Sequence, residues 1–389
     1  MTVGIDKINF FTPNLYVDLV DLAEHRGIDP NKFTIGIGQN KMAVPPITQD
    51  TVALAANAAF PIVDESDAAL IDLVILGTES GTDYSKAGAI YVHQLLGIQP
   101  FAKSYEIKQA CYGATAGLMQ ARDYVARHPE RKALVIASDI SRYGLATSGE
   151  VTQGAGAVAM LVSSNPRILI LEDDSVARTD NIFDFWRPNY SDTAFVDGKF
   201  SNEAYIHFFQ SIWAEYQRRS GYSLEDFEAF CFHLPYSKMG KKALQTVIGN
   251  ASDNTQKRLW KNYDFSTSYT KEVGNIYTGS LYLGLISLLD HHNELQPGQR
   301  IGFFSYGSGA VGEMFSGILA DGFDRQIDRT AHQGMLDSRT RLTVAQYERI
   351  FSEVLPQDGQ DITLENDYDN GRFYLEKIIG HKRHYASRN

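Results

Sequence analysis

The chain repeats itself. Asp72-Leu-Val-Ile-Leu-Gly-Thr-Glu79 aligns without a gap on Asp226-Phe-Glu-Ala-Phe-Cys-Phe-His233, and Gly154-Ala-Gly-Ala-Val158 matches Gly307-Ser-Gly-Ala-Val311. Each glycine match follows an apolar run, at residues 133–137 and 301–304. Between the markers each half carries a segment rich in small residues, beginning near Ala110-Cys-Tyr-Gly113 or Gly274-Asn-Ile-Tyr277. Three markers in one order outweigh the chance similarity of short apolar runs. The order strand, helix, strand, glycine hairpin therefore occurs twice. Ser163-Ser-Asn-Pro166 reads as the turn that joins the copies.

Residues 73–76 and 133–137 are compact apolar runs, the pattern of strands buried on both faces. Residues 51–60 and 115–126 have helical spacing and no internal proline. Buried strands alternating with helices predict a layered α/β fold. With 389 residues the chain divides into two halves, 1–165 and 166–389. Residues 185–220, rich in polar and aromatic side chains, read as an insertion in the second half whose Trp186, Phe195, Phe208, Phe209 and Trp213 need burial. Residues 357–369 read as an acidic solvated loop.

The net charge of −11 gives no general attraction to nucleic acid or anionic membrane, so an anionic ligand must meet a local basic patch. Two cysteines make neither a disulfide scaffold nor a Cys-rich metal site. The opening residues lack the basic segment and long apolar run of a secretory leader, and no apolar run is long enough to span a membrane. The expectation is a reduced, cytoplasmic protein without a bound metal.

Four polar residues occupy equivalent places in the two copies. Glu79 and His233 end matched strands, where α/β sheets place ligands. Cys111 and Asn275 stand at the entries of the next helices. A two-fold pseudosymmetric fold brings all four to one central cleft. A free cysteine is commonly a small buried hydrophobe, and Cys231 in Phe230-Cys-Phe232 fits that role. Cys111 lies instead at a helix entry, where free N–H groups and the dipole favour a thiolate. Lys238 and Lys242 are four apart beyond His233 and share a helical face suited to phosphate. No phosphate-binding P-loop, dinucleotide fingerprint or HExxH motif is present.

Together, Ile35-Gly-Ile-Gly-Gln39, Gly77-Thr-Glu-Ser80, Gln109-Ala-Cys-Tyr-Gly113, Ser138-Asp-Ile140, Asp184-Phe-Trp-Arg-Pro188, Val196-Asp-Gly-Lys199, His233-Leu-Pro-Tyr236 and Tyr306-Gly-Ser-Gly309 make a specific ordered set. The chain resembles the thiolase superfamily, and within it the bacterial-type 3-hydroxy-3-methylglutaryl-CoA synthases. The resemblance implies duplicated βαβαβαββ halves forming a five-layered αβαβα sandwich. It also implies condensation of acetyl-CoA with acetoacetyl-CoA and water, in the mevalonate route to isoprenoids, with no cofactor. Carried over by motif, Cys111 is the nucleophile, Glu79 the general acid/base and His233 the residue that engages the acetoacetyl thioester. Lys238 and Lys242 fall on CoA-binding positions, Ser201, Asn275 and Ser308 on product-contacting ones, and Tyr143 and Thr152 on the approach to the site. Residues 144–153 depart from the Arg-Pro-Thr pattern of the animal enzymes. Thiolase-fold enzymes dimerise, so a homodimer is expected.

Two neighbouring chemistries compete. Ketoacyl synthases of this fold pair Cys with His and Asn and have no acid matching Glu79, so a Cys-Glu-His set favours hydroxymethylglutaryl chemistry. A synthase acting on acyl-carrier-protein substrates in polyketide branching shares the set, and the lysine pair argues for free CoA.

Overall fold

A computed structural model describes residues 2–191 and 193–388. Its centre is one ten-stranded sheet with two wings. The first wing contains β1 (Val3–Phe11), β2 (Ile71–Gly77), β3 (Lys103–Ile107), β4 (Lys132–Ser141) and β5 (Gly154–Ser164). The second contains β6 (Leu169–Leu171), β7 (Val176–Thr179), β8 (Ala229–Phe232), β9 (Arg300–Gly307) and β10 (Val311–Leu319). The spatial order is β3-β2-β4-β5-β1-β6-β10-β9-β8, with β7 also on β10. Pairing senses repeat across the centre. The β1–β5, β5–β4, β6–β10 and β10–β9 pairs are antiparallel, whereas β4–β2 and β9–β8 are parallel. The wings join where Gly4 and Ile5 of β1 face Ile170 and Leu169 of β6.

Helices make the remaining layers. Helix α1 (Thr51–Ala59) is buried along its whole length, packs on β4 and β5, and is capped by Asp50. Helix α2 (Gly88–Leu95) lies beside it. Helix α3 (Gly113–Arg127) and helix α7 (Ser280–His291) fill the centre, linked by the Thr115 and Tyr282 hydroxyls 2.8 Å apart. Helix α4 (Gly198–Ser220) packs on β7 and β10 as α1 packs on β4 and β5. The buried apolar residues of α4 thus build the outer layer of the second wing, whereas Trp186 and Phe195, expected to be buried, stack on each other at the surface. The insertion read from the sequence narrows to the short strands Phe185–Trp186 and Phe195–Val196 and the loops around them. Phe208, Phe209, Trp213 and Tyr216 of α4 form one buried aromatic cluster with Phe227, Phe230, Phe232 and Phe304.

The copies are unequal in two places. Between β8 and α7 the described chain holds no counterpart of β3; it is helical, with α5 (Met239–Gln245) and α6 (Asp253–Ser266). Residues 246–275 offer only the short Val247-Ile248 pair as apolar strand material, while Ser252 caps α6. The two glycine matches also differ. Gly307 pairs with Val311 across a tight hairpin, but Gly154–Val158 lies inside β5, and residues 142–153 make a long connection from β4. The acidic stretch 357–369 is not wholly solvated either. Asp369 is buried and accepts hydrogen bonds from Thr48 Oγ1 (2.7 Å) and Gln49 Nε2 (2.9 Å). It thereby fastens the C-terminal strands β11 (Ile362–Thr363), β12 (Phe373–Ile379) and β13 (Lys382–Ser387) to the first wing, behind α8 (Val344–Ser352).

Candidate active site

Cys111 sits between β3 and the first turn of α3, following Ala110, whose φ of 42° is unusual for a residue with a side chain. The turn is tightly enclosed. A Cβ on Gly77 would lie 2.4 Å from Ala114 N, and one on Gly307 would lie 2.6 Å from Gln109 O. Only glycine lets the end of β2 and the β9–β10 hairpin approach the cysteine this closely. Gln109 Nε2 donates to the Ser308 carbonyl at 3.2 Å, tying the cysteine turn to that hairpin.

The Cys111 thiol donates to Glu79 Oε1 at 3.1 Å. Both side chains are partly accessible. Burial, reinforced by the nearby Asp139, pushes the Glu79 carboxyl up to about 8, against the pull of Arg187. Burial and the Glu79 charge push the Cys111 thiol well above its ordinary value. This corrects the expectation that the helix entry favours a free thiolate: desolvation and an adjacent carboxylate outweigh the dipole. The thiol instead has in contact with it a carboxyl that can accept its proton once ionised, as pH rises through about 8.

His233 follows β8, with its backbone N–H donating to Phe304 O at 2.8 Å and its carbonyl accepting from the Tyr205 hydroxyl at 2.7 Å. Burial pulls its imidazole down to about 3, so it is neutral throughout the ordinary pH range. Its Nδ1 is buried without a hydrogen-bond partner among the described residues. Asn275 is buried, and its Oδ1 accepts from Tyr277 N and Ser280 Oγ, both at 2.9 Å. Tyr143 reaches in from residues 142–153, its hydroxyl interacting with Tyr277 and Asn275 and its ring meeting Phe185 and Tyr277 edge-on. Burial raises the pKa of its hydroxyl, and Cys111 and Glu79, when ionised, raise it further.

The other sequence-derived positions lie on four separate segments. The Thr152 hydroxyl is spent on Gly149 O at 2.8 Å, while its carbonyl accepts from Asn275 N at 3.2 Å. Ser308 lies in the β9–β10 hairpin and Ser201 in the first turn of α4. Lys238 caps α5, and Lys242 N donates to its carbonyl at 3.2 Å, so the two lysines stand one turn apart as the spacing predicts. Lys242 Nζ donates to the Tyr236 hydroxyl at 2.8 Å, which donates to Asn202 beside Ser201 at 2.7 Å.

Three residues that sequence reasoning left without a role support the centre. Asp139, in β4, is buried and accepts from Thr78 Oγ1 (2.9 Å), Glu79 N (2.9 Å), Ser80 N (3.0 Å) and, from the other half, Thr278 N (3.1 Å) and Oγ1 (2.5 Å). Asp184 is buried and accepts from the Tyr306 hydroxyl (2.8 Å) and Gly309 N (2.9 Å). The Arg187 guanidinium donates to the Glu79 carbonyl. A carboxylate inside an apolar strand run, as at Asp139, was the available signal, because such a group must find donors.

The family model described as hydroxymethylglutaryl-coenzyme A synthase N terminal matches residues 1–167, and its C-terminal counterpart matches residues 170–265 and 254–388. The chain belongs to the hydroxymethylglutaryl-CoA synthase family. The family's Enterococcus faecalis hydroxymethylglutaryl-CoA synthase is 54% identical over 94% of this chain and 96% of its own length. A polyketide biosynthesis 3-hydroxy-3-methylglutaryl-ACP synthase of Bacillus subtilis is 34% identical over 99% of each chain. A hydroxymethylglutaryl-CoA synthase structure complexed with CoA superposes with a TM-score of 0.97 at 48% identity, covering 100% of both chains.

Proposed function

We propose that Cys111, Glu79 and His233 carry out the reaction of the hydroxymethylglutaryl-CoA synthase family: acetyl-CoA, acetoacetyl-CoA and water give 3-hydroxy-3-methylglutaryl-CoA and CoA. The contact between Cys111 Sγ and Glu79 Oε1, made by residues from two different elements, carries this reading. Glu79 takes the thiol proton as Cys111 attacks the acetyl thioester and returns it to the departing CoA thiolate. The regenerated carboxylate then removes a proton from the acetyl methyl group. The resulting enolate adds to the ketone of acetoacetyl-CoA, and the new alkoxide recovers that proton from Glu79. Neutral His233 holds the acetoacetyl thioester. Water finally cleaves the Cys111 thioester. Tyr143, Asn275, Ser201, Ser308 and Thr152 line the substrate's path, and Lys238 and Lys242 meet the CoA phosphates.

The reaction needs no metal or cofactor, and it supplies the mevalonate route. Residues 1–165 and 166–389 act as two halves around one cleft. Two observations support a homodimer: β3 ends the sheet with an edge open to pairing, and Phe101 beside it is 90% exposed. No helix among the described residues is long and apolar enough to cross a membrane. With the small cysteine content this supports a cytoplasmic setting. Thiol release from acetyl-CoA, with and without acetoacetyl-CoA and with the product identified by mass, tests the reading. Release only with acetyl carrier protein would assign the chain to polyketide branching instead.

A further inference from the structure

Residues 142–153 are held by a buried network that the condensation steps do not use. Gln153 Oε1 accepts from Tyr143 N (2.7 Å) and Gly144 N (3.1 Å), and its Nε2 donates to the Tyr347 hydroxyl at 2.9 Å. That hydroxyl donates to Glu150 Oε1 at 3.2 Å. Glu150 Oε2 accepts from Ala146 N at 3.0 Å, and Arg26 forks onto both carboxylate oxygens at 3.0 and 2.8 Å. Gln153, Glu150 and Tyr347 are 3%, 3% and 1% exposed. Tyr347 and Phe351 stand one turn apart on α8, and the Arg142 guanidinium lies 4.0 Å over the Phe351 ring. Helix α8 therefore grips the connection at both ends, about 200 residues away in sequence. A loop with glycines at 144 and 149 has many conformations open to it, and the network selects the one that presents Tyr143. Unpaired members of a buried network are costly, so its parts stand or fall together.

We propose that Tyr347 and Gln153 are positioning residues that set the Tyr143 hydroxyl against Asn275 and Tyr277 beside Cys111, placing condensation under the control of α8. The inference rests on the assignment of Cys111 and Glu79 given above. A double-mutant cycle tests it with Tyr347→Phe, Gln153→Met and Tyr143→Phe, alone and in pairs. Acetyl-enzyme is measured by mass, condensation kcat and KM at varied acetoacetyl-CoA, and unfolding by thermal melt. Tyr347→Phe should lower condensation kcat by about 10- to 100-fold, the cost of misplacing a group by about 1 Å. In the Tyr143→Phe background the same substitution should change kcat by less than about twofold. A purely structural defect would reduce the active fraction equally in both backgrounds. Multiplying losses, or an unchanged kcat, would overturn the proposal. Gln153→Met must show the same dependence on Tyr143, and it decides the matter if Tyr347→Phe does not fold. Failure of the unaltered protein to acetylate Cys111 would instead overturn the active-site assignment on which the inference rests.

Discussion

Replacing Glu79 by Gln should weaken the chemistry and strengthen the fold, and both effects follow from one cause. Burial holds the carboxyl at about 8 rather than its ordinary 4.5. The folded state therefore keeps a proton that the unfolded chain releases, and stability falls as pH rises from about 4.5 to about 8. A shift of roughly three and a half units corresponds to about 4 kcal/mol lost between pH 5 and pH 8.5, at 1.36 kcal/mol per unit. Glutamine carries no ionisable proton, so the variant should escape this loss. Its urea midpoint should equal or exceed that of the unaltered protein at pH 8.5, with a smaller difference at pH 5. Activity should move the other way. An amide cannot take a proton from the acetyl methyl group, so condensation should fall by about 10²–10⁴-fold. Acetylation should also slow, because the Cys111 thiol loses the acceptor 3.1 Å away. Acetyl-enzyme by mass and product after acetoacetyl-CoA addition separate the two steps. Parallel pH dependences of stability in the two proteins would refute the burial argument. Condensation within tenfold of normal would refute the proton-transfer role.

In the unaltered protein, acetylation should accelerate as pH rises through about 8, where Glu79 becomes able to accept the thiol proton; stopped-flow CoA release checks this. Cys111→Ala should carry no acetyl group by intact mass, and label at the normal level would move the nucleophile elsewhere. Asp139→Asn should lower the Glu79 pKa by removing a neighbouring charge, shifting that acetylation profile to lower pH. Lys238→Ala with Lys242→Ala should raise KM for both acyl-CoAs about tenfold with kcat nearly kept, since exposed pairs contribute about 1 kcal/mol or less.

The repeat made the paired wings legible, because buried strands of a duplicated α/β unit leave long apolar runs in matched order. It also identified Glu79 and Cys111, which the structure brings into contact. Their protonation was not legible. A helix-entry motif reports the dipole, but the thiol is raised by burial and then by the charges of Glu79, Asp139 and Asp184, all remote in sequence. Helix α4 was misplaced as part of an insertion because its aromatic face resembles no part of the Ala-rich α1 that does the same work. The missing counterpart of β3 left only a negative signal, the lack of an apolar run. The network through Gln153 and Tyr347 spans 194 residues of sequence, and no local pattern announces such a pairing.

The two matched strand ends show why duplication alone does not make a catalytic site. Desolvation acts on both, yet it raises an acid and lowers a base. Glu79 is pushed up to about 8 and His233 down to about 3, so near neutral pH both are largely uncharged. A neutral interior suits an acetyl thioester and a ketone, neither of which carries charge. It would not solvate the CoA phosphates, and Lys238 and Lys242 stand at the start of α5, apart from the Arg187 guanidinium that is spent on the Glu79 carbonyl. Burial raises the Asp139 carboxyl as well, and its five donors, which come from both halves, compensate it only when the wings are joined. Glu79 thus has its backbone N–H fixed by a residue that itself depends on Thr278 across the pseudo-two-fold axis. Neither half could hold the acid at this position alone.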